Sequence, residues 1–443
     1  MENKPTTLFL GDADVFCFVS TFATNTAYHH TSRPSSIYSP TIMSFHQSKR
    51  SDWETQAFWE KICPSLTIGS KDPIPNPVNF HADRSGDTLR PENTRERLRK
   101  RGYALVDQQV FPKEKLEMVR KGIEVLHESG FPASFILLFD VTWDLAAVSR
   151  QLFKTTCLET NEFQFDILAW HISGKGFSPH RDRQPEDAAK TFVGEDAKFV
   201  THWIALTPAT PQNSCLYMIP KEHDPGYLSG DTDEEDPLHR ALCDKTKFQR
   251  IVALPRNPGQ SLLFTHRIIH WGSARDPGAS DSLGPRMAIS FVCSDPSFEK
   301  PFLANPHFST EERPSFRIRL LLVCSQLLIY HERFDLPKEI LKLCYEICKE
   351  MEAELEVSYR HKVYLEFVRA MKEMKGDGEG NHTASDDEEA VLDAMLEAEE
   401  GGYGDSLVDD YDADDREVDD DEEEQESCLT SQPESKRLKT GMS

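Results

Sequence analysis

The chain has 443 residues, of which 38% are hydrophobic and 10% aromatic, enough for one large domain with extensions or for two or three small ones. Its net charge of −25 is local, because residues 376–443 hold 25 of the 75 acidic residues but only four of the 50 basic ones. That segment carries −21 and the other 375 residues carry −4. A nearly neutral folded part excludes an extended basic surface, so we expect it to have no nucleic-acid partner.

The ten cysteines are irregularly spaced without a Cys-x-x-Cys pair, which is typical of a reducing compartment rather than of a disulfide framework. Cys344 and Cys348 stand four apart in a helical pattern, and we interpret them as a buried helix face rather than as metal ligands. No apolar run approaches the ~20 residues that a bilayer crossing needs, so no membrane partner is expected. We predict a cytoplasmic location, or a nuclear one given the basic residues 436–439; residues 15–51, which lack acidic side chains, leave organelle targeting open.

The N-terminal part, residues 1–90, is predicted to be a leader and irregular segment with one short helical piece at 53–62. Pro73, Pro75 and Pro77 punctuate it, and Met43 offers an alternative start. A strand at 103–106 and a helix at 112–127 open the globular part that follows. That helix has apolar residues at the spacing of one face: Leu116, Val119, Ile123 and Leu126.

Short strands dominate the chain from residue 163 onward. Six segments are aromatic or β-branched and are bounded by turn residues: 163–172, 199–206, 215–219, 251–254, 261–271 and 286–293. No helical repeat alternates with them. We therefore predict a mainly β domain over 91–300 with flanking helices and a core of the double-stranded β-helix, or jelly-roll, type.

Two further segments complete the predicted organisation. Residues 301–375 turn helical, with apolar residues at 3.6-residue spacing, and form a C-terminal helical extension. Residues 376–443 are acidic and poor in aromatics, and are predicted to be a disordered tail. Such a tail could bind a basic protein partner.

His180, Asp182 and His270 are the side chains that point most clearly to chemistry. Two imidazoles and one carboxylate on one face of a metal are what a non-haem iron(II) oxygenase uses, leaving the opposite face open. Residues i and i+2 of a strand point to the same side, so His180 and Asp182 can share one metal while Arg181 points away. Arg286 follows at the start of a later strand, where it could hold a dicarboxylate cosubstrate.

Two histidines compete for the third ligand position. His266 and His270 are four apart, so on an extended strand both would face the same way. We prefer His270 because Gly272 and Ser273 follow it and mark a strand end, where sites open. His266 is then a residue that packs in the core or supports one of the ligands.

At this point five segments resemble the phytanoyl-CoA dioxygenase family of iron(II)- and 2-oxoglutarate-dependent oxygenases. Residues 170–183 (WHISGKGFSPHRDR) resemble the turn into the family's His-x-Asp motif, and 203–223 resemble its hairpin. Residues 261–273 (SLLFTHRIIHWGS) resemble the strand of the distal histidine, and 286–291 (RMAISF) the strand of the cosubstrate arginine. Residues 101–126 resemble the family's opening strand and helix.

The resemblance implies roles for six residues. His180, Asp182 and His270 are the expected iron ligands, Arg286 the expected partner of the distal carboxylate of 2-oxoglutarate, and Ser273 and Trp203 the expected pocket lining. The implied cofactors are iron(II), 2-oxoglutarate and oxygen, with ascorbate as a supporting reductant. The implied reaction hydroxylates a substrate C–H bond and releases succinate and carbon dioxide.

The chain departs from the family pattern at three places. Trp271 stands between His270 and the Gly272-Ser273 pair. Asn213 is followed by Ser214 where the family usually has glycine, and residues 276–285 form an inserted loop between His270 and Arg286. Asp182 is present, whereas a halogenating relative would lack this carboxylate, so hydroxylation is favoured.

Substrate identity stays open between several alternatives. A small-molecule substrate is our first hypothesis, and a protein or nucleic acid is the second, on the strength of the tail and the basic residues 436–439. A non-catalytic scaffold and a zinc hydrolase are further alternatives; the intact triad disfavours the first, and Arg286 disfavours the second. Lys175, Arg181, Arg183 and Arg267 could meet an anionic substrate, although charges on turns are usually solvated.

Overall fold

The computed structural model describes residues 45–74, 91–107, 110–183, 188–231, 236–305, 312–334 and 336–376. The predicted acidic tail, its basic residues 436–439 and residues 1–44 lie outside this part. The helices are α1 Arg50–Trp53, α2 Gln56–Ile62, α3 Pro91–Arg101, α4 Lys113–Glu128, α5 Asp140–Thr156, α6 Ala188–Thr191, α7 Gly226–Ser229, α8 Pro237–Ala241, α9 Phe316–Ile329, α10 Lys338–Glu350 and α11 Val357–Gly376. None of these described helices combines the length and the apolar character that a bilayer crossing requires.

The strands form two main antiparallel sheets. They are β1 Tyr103–Val106, β2 Glu162–Ile172, β3 Phe177–His180, β4 Phe192–Val193, β5 Asp196–Ala197, β6 Phe199–Ala205, β7 Leu216–Ile219, β8 Val252–Leu254, β9 Ser261–Thr265, β10 Ile269–Gly272 and β11 Arg286–Ser294. One sheet has the order β1-β9-β6-β11-β2 and the other β3-β10-β7-β8, while β4 and β5 pair separately. The mainly antiparallel architecture with flanking helices agrees with the prediction.

The predicted strand 261–271 is wrong as a single element. It is two strands, β9 in the five-stranded sheet and β10 in the four-stranded sheet. A turn between them closes with a hydrogen bond from Ile268 N to Thr265 O of 3.2 Å. His266 lies in this turn and His270 on β10, so the two histidines do not share one strand face.

Helices cover the outer face of the five-stranded sheet. Alternate residues of β2 and β11, including Ile167 and Phe291, enter one apolar core with α4, α5 and α9. The apolar stripe predicted for residues 112–127 is buried on α4, and each such aliphatic side chain contributes about 1.5–3 kcal/mol on leaving water. This layer fixes β11, which carries Arg286 at its start.

The C-terminal helices belong to the same core as the sheet. Twelve of the fourteen residues of α9 are buried, as expected for a helix that is apolar on every side. Gln326 Nε2 donates to Ile167 O of β2 at 2.7 Å, and Arg319 pairs with Asp140 at 2.8 Å. Cys344 and Cys348 are buried on α10, as interpreted from the sequence.

Residues 45–74 differ from the predicted irregular leader. Its two short helices, α1 and α2, bring Trp53 and Trp59 into the core, where neither is exposed. The Trp59 ring stacks on Phe135 with 4.7 Å between centroids, and Trp53 meets the same ring edge-on at 5.0 Å. This part of the N-terminal segment is therefore integral to the folded unit.

Candidate functional site

His180, Asp182 and His270 come together at one end of the four-stranded sheet. His180 ends β3 and His270 lies on the neighbouring strand β10, directly opposite in the antiparallel register. One ligand atom from each of the three residues lies within 4.8 Å of the others. Asp182 Oδ1 is 3.5 Å from His270 Nε2 and 3.8 Å from His180 Nε2.

Asp182 reaches the cluster through a bend rather than along a strand. β3 ends at His180, so the same-face argument from strand alternation does not describe this pair. The Asp182 backbone N–H instead donates to His266 O at 3.1 Å. The turn between β9 and β10 thus holds the carboxylate, and His266 acts through its backbone while its ring is fully buried.

Backbone carbonyls orient both imidazoles. His180 Nδ1 lies 2.8 Å from Ser178 O, and His270 Nδ1 lies 3.2 Å from Ile268 O. A neutral ring that donates from Nδ1 keeps the lone pair on Nε2, and both Nε2 atoms face Asp182. The two rings therefore present metal-binding nitrogens to the same point.

The charge states suit a metal ligand set. Burial raises the pKa of the Asp182 carboxyl, but His270, His180 and a 2.8 Å hydrogen bond from Thr201 Oγ1 outweigh it and lower the pKa below the ordinary value. Burial, with His180 nearby, lowers the pKa of His270 to about 4. Near neutral pH Asp182 is a carboxylate and His270 a neutral imidazole, the forms that coordinate metals.

The three side chains of the cluster differ in their exposure to solvent. The His270 side chain is 8% exposed, against 21% for Asp182 and 36% for His180. Solvent, or a ligand, therefore approaches from the side of β3 and the bend that follows it.

Arg286 is a buried cation next to this cluster. It opens β11, its side chain is fully buried, and its guanidinium carbon lies 5.6 Å from the Trp203 ring centre and 5.7 Å from that of Phe177. Within the described part of the chain, its Nε and Nη2 atoms find no acceptor. Burial lowers the pKa of Arg286 to about 10, so it stays charged near neutral pH. A buried charge without a partner is costly, which indicates a site prepared for an anion.

Close packing places this cation beside the strand of His270. A Cβ added at Gly272, two residues beyond His270, would lie 3.8 Å from Arg286 Nη2 and 2.8 Å from Ser214 Oγ. The Ser214 and Ser273 hydroxyl groups are also buried and lack a hydrogen-bond partner among the described residues. Hydrogen-bond donors without a partner among the described residues, on Arg286, Ser214 and Ser273, thus lie near Gly272, two residues beyond His270.

Residues 86–277 match the sequence profile of the family described as phytanoyl-CoA dioxygenase (PhyH). The chain carries a phytanoyl-CoA dioxygenase domain. The matched domain is accordingly that of a dioxygenase-type enzyme. No curated protein matches the chain.

Solved structures similar to the chain share little sequence with it. The non-haem α-ketoglutarate-dependent epimerase SnoN from nogalamycin biosynthesis is 18% identical over 46% of this chain and 80% of that chain, with a TM-score of 0.34. EctD from S. alaskensis is 16% identical over 57% and 99%, with a TM-score of 0.35. HygX from Streptomyces hygroscopicus, crystallised with nickel and 2-oxoglutarate, is 15% identical over 50% and 89%, with a TM-score of 0.35. The family assignment rests on the sequence match alone.

The structure adds residues to the dioxygenase site that sequence reasoning missed. Thr201 binds the carboxylate of Asp182, and Phe177 lies against Arg286. Thr201 stands two residues before Trp203 on β6, so strand alternation could have pointed to it. Nothing in the sequence pointed to Phe177.

Three of the four basic residues around the His-x-Asp motif are held by carboxylates or by backbone carbonyls. Arg181 is fully buried and pairs with Asp224 and Asp231. Arg183 pairs with Glu299 at 2.8 Å, and the fully buried Arg267 donates to backbone carbonyls of the α7 region. These cations hold the dioxygenase loops together; only Lys175 is an exposed charge of the kind expected.

Ser214 takes the position where the family usually has glycine. Its φ is 74°, in the left-handed region, and among described residues it is the non-glycine residue with this conformation. Such a backbone costs a serine of order 1 kcal/mol. Its hydroxyl in turn lies beside Gly272 and Arg286, as described above.

Proposed function

We propose that this protein hydroxylates a C–H bond of a small-molecule substrate in an iron(II)- and 2-oxoglutarate-dependent reaction that releases succinate and carbon dioxide. One observation carries the proposal. A cluster of two histidines and one carboxylate lies beside a fully buried arginine that lacks an anionic partner among the described residues.

The donor set of the cluster fits iron(II). Two neutral imidazole nitrogens and one carboxylate oxygen are the ligands of the non-haem iron(II) facial triad. His180, Asp182 and His270 would hold the metal through Nε2, Oδ1 and Nε2, the atoms that face one another. Thr201 would then fix the second carboxylate oxygen and with it the direction of Oδ1.

Arg286 fits the distal carboxylate of 2-oxoglutarate. A guanidinium offers a planar pair of donors that a carboxylate can accept together. Its unpaired Nε and Nη2 atoms supply donors that the protein itself leaves unused. Trp203 would form the wall behind the cosubstrate, and the Ser273 hydroxyl would be a further donor.

When bound, iron(II) with 2-oxoglutarate and oxygen supplies an oxidant able to break a C–H bond. The chain's own residues bind the cosubstrate, orient it and exclude water around it. The presence of Asp182 supports hydroxylation over halogenation, which would need room for a halide at this position. The two sheets that flank the site support the jelly-roll type of core.

Binding of Mn(II), a redox-stable substitute for iron(II), tests the ligand assignment. Equilibrium dialysis should show at least ~10-fold weaker Mn(II) binding by His180→Ala and Asp182→Ala, because each removes one of three ligands. The matched control is His239→Ala, an exposed histidine on α8. With iron(II) and ascorbate, wild type should form succinate from 2-oxoglutarate and the two ligand variants should not. Equal Mn(II) binding by all variants would rule out this site.

A further inference from the structure

Arg333 is an exposed cation surrounded by aromatic rings. It lies in the 3-10 turn His331–Arg333 that follows α9. Its guanidinium carbon is 4.9 Å from the ring centre of Tyr330, 5.6 Å from that of Trp170 and 5.7 Å from that of Phe177. Rings at these distances hold a guanidinium in place and leave its N–H groups available to an acceptor.

This cation lies against the first residue of β3, the strand that ends at the proposed ligand His180. That first residue is Phe177. The Trp170 ring meets the Phe177 ring edge-on, with 4.7 Å between the two centroids. Arg333 is also within electrostatic reach of His270. The three rings and the cation therefore border the approach to the cluster.

Arg333 and Arg286 lie against the same ring in different environments. Each guanidinium carbon is 5.7 Å from the Phe177 centroid. Arg286 is fully buried and Arg333 is exposed, so the inner cation is suited to an enclosed cosubstrate and the outer one to a ligand that arrives from solvent.

Arg333 has no counter-charge among the described residues. Across the ranges that the structure describes, its side chain makes no ion pair and no hydrogen bond, in contrast to Arg181 and Arg183, which are paired with carboxylates. The adjacent Glu332 groups instead with His331 and Glu373. A fixed cation without a counter-charge at a site entrance is suited to an anionic ligand.

We propose that Arg333, Trp170 and Phe177 form the substrate subsite of this enzyme and that its substrate is a small organic anion. The anionic group, a carboxylate or a phosphate ester, pairs with Arg333, and the carbon body lies against the Trp170 ring. This inference rests on the proposed function. It assigns substrate selection to the helical extension, because Arg333 lies outside the matched residues 86–277.

Calorimetric titration of the protein loaded with Mn(II) and 2-oxoglutarate tests the subsite. The probes are phenyl phosphate, benzoate and the uncharged benzyl alcohol. Wild type should bind at least one of the two anions and should not bind benzyl alcohol. Arg333→Gln should weaken anion binding roughly tenfold or more, the effect of losing one charge-assisted hydrogen bond. The affinities for phenyl phosphate and benzoate then show whether the subsite prefers a phosphate ester or a carboxylate.

Lys175→Gln is the matched control, because Lys175 is an exposed cation just before Phe177. It should leave anion binding unchanged, and Arg333→Lys should retain part of it. The Mn(II) and 2-oxoglutarate affinities of Arg333→Gln should equal those of wild type.

Three results would overturn the inference. The first is that wild type binds neither anion, and the second is that wild type and Arg333→Gln bind the anions equally well. The third is that Arg333→Gln binds 2-oxoglutarate more weakly than wild type does, which would assign Arg333 to the cosubstrate. In each of them Mn(II) still binds at the triad. If wild type bound neither Mn(II) nor 2-oxoglutarate, the proposed function itself would fail, and the subsite with it.

Discussion

The fully buried guanidinium of Arg286 has no carboxylate beside it among the described residues, and a buried charge of this kind destabilises a protein. Replacing Arg286 with methionine should therefore leave the free energy of unfolding unchanged or raise it by about 1–3 kcal/mol. The same change should weaken 2-oxoglutarate binding at least ~30-fold, since breaking a buried charge pair costs about 2–5 kcal/mol. Urea unfolding and calorimetric titration of the Mn(II)-loaded protein measure the two effects.

Arg319 provides the contrast for this prediction. It is equally buried but pairs with Asp140 at 2.8 Å. Arg319→Met should lower the free energy of unfolding by about 3–5 kcal/mol, because it removes the cation beside the buried Asp140 carboxylate and leaves that charge only the backbone N–H groups of Gly69 and Ser70. It should not change 2-oxoglutarate affinity in the folded fraction. A strong loss of stability in Arg286→Met would show that this arginine has a structural partner.

His202 determines part of the acid sensitivity of the fold. It is fully buried, with its ring nitrogens 3.1 Å from Ser149 Oγ and 2.9 Å from Ser261 Oγ. Burial lowers the pKa of His202 to about 3, against about 6.5 in the unfolded chain. Between these values the unfolded state binds one more proton, so the free energy of unfolding falls as pH falls from about 6.5 toward 3. Above this window His202 is neutral in both states.

Replacing His202 with glutamine should flatten this dependence. Glutamine keeps a donor and an acceptor but does not titrate, so the slope should decrease by up to about 1.4 kcal/mol per pH unit. Urea unfolding at about pH 7 and about pH 5 gives the slope for each protein. The variant is expected to be less stable at pH 7, and the comparison concerns the slopes alone. Parallel slopes for variant and wild type would contradict the assignment.

At the scale of elements, the pairing of β3 with β10 depends on Gly176. A Cβ at this position would stand 1.9 Å from Gly272 O and 2.3 Å from Ser273 O, both backbone atoms. Gly176→Ala should therefore force β3 away from β10 and separate His180 from His270. We expect Mn(II) binding to weaken at least ~10-fold, as for loss of a ligand. Equilibrium dialysis measures it.

Gly174→Ala is the control for this prediction. A Cβ at Gly174 would meet nothing within 4 Å, although the two glycines stand in the same turn. This variant should bind Mn(II) like wild type. Equal binding by both alanine variants would show that the turn relaxes without moving the strand.

The sequence predicts elements better than it predicts how they meet. Helix α4 and the strands around the triad follow local periodicity, because burial of one face imposes it. The division of residues 261–271 into β9 and β10 does not follow local periodicity, since both halves are largely apolar and only three residues separate the two strands. The structure places the His270 ring, and not the His266 ring, next to His180 and Asp182, although the two histidines share no strand face.

Contacts between distant segments explain what the sequence leaves open at the site. Arg286 could be placed by its motif, but its lack of a partner depends on every neighbour in space. Arg181 was predicted on a solvated turn, yet Asp224 and Asp231 reach it from another loop. Arg333 belongs to a helical segment with no motif, and only the packing of α9 against β2 brings it to Trp170.

At the scale of the whole molecule, the five-stranded sheet and the helices share one apolar core. The largest core cluster joins residues from helices α1, α2, α4 and α5, strands β2 and β11, and helices α9 to α11. Residues on both sides of the predicted boundaries at 90 and 300 contribute to this cluster. The proposed site combines residues from both main sheets and from the C-terminal segment. The proposed metal ligands lie on or next to the four-stranded sheet, Arg286 lies on the five-stranded sheet, and Arg333 lies in the C-terminal helical segment.

This shared core gives different expectations for two truncated chains. A chain ending at residue 300 lacks α9, which has twelve buried residues, and each large aliphatic side chain lost costs about 1.5–3 kcal/mol. The sum exceeds the about 5–15 kcal/mol of a typical domain, so this chain should not fold. A chain ending at residue 376 loses only the predicted acidic tail and should keep the wild-type free energy of unfolding and Mn(II) affinity. Circular dichroism during urea unfolding and Mn(II) dialysis compare the two chains with the full one. Cooperative unfolding of the chain ending at residue 300 would show that 91–300 is a domain in its own right. A lower free energy of unfolding for the chain ending at residue 376 would show that the tail stabilises the fold.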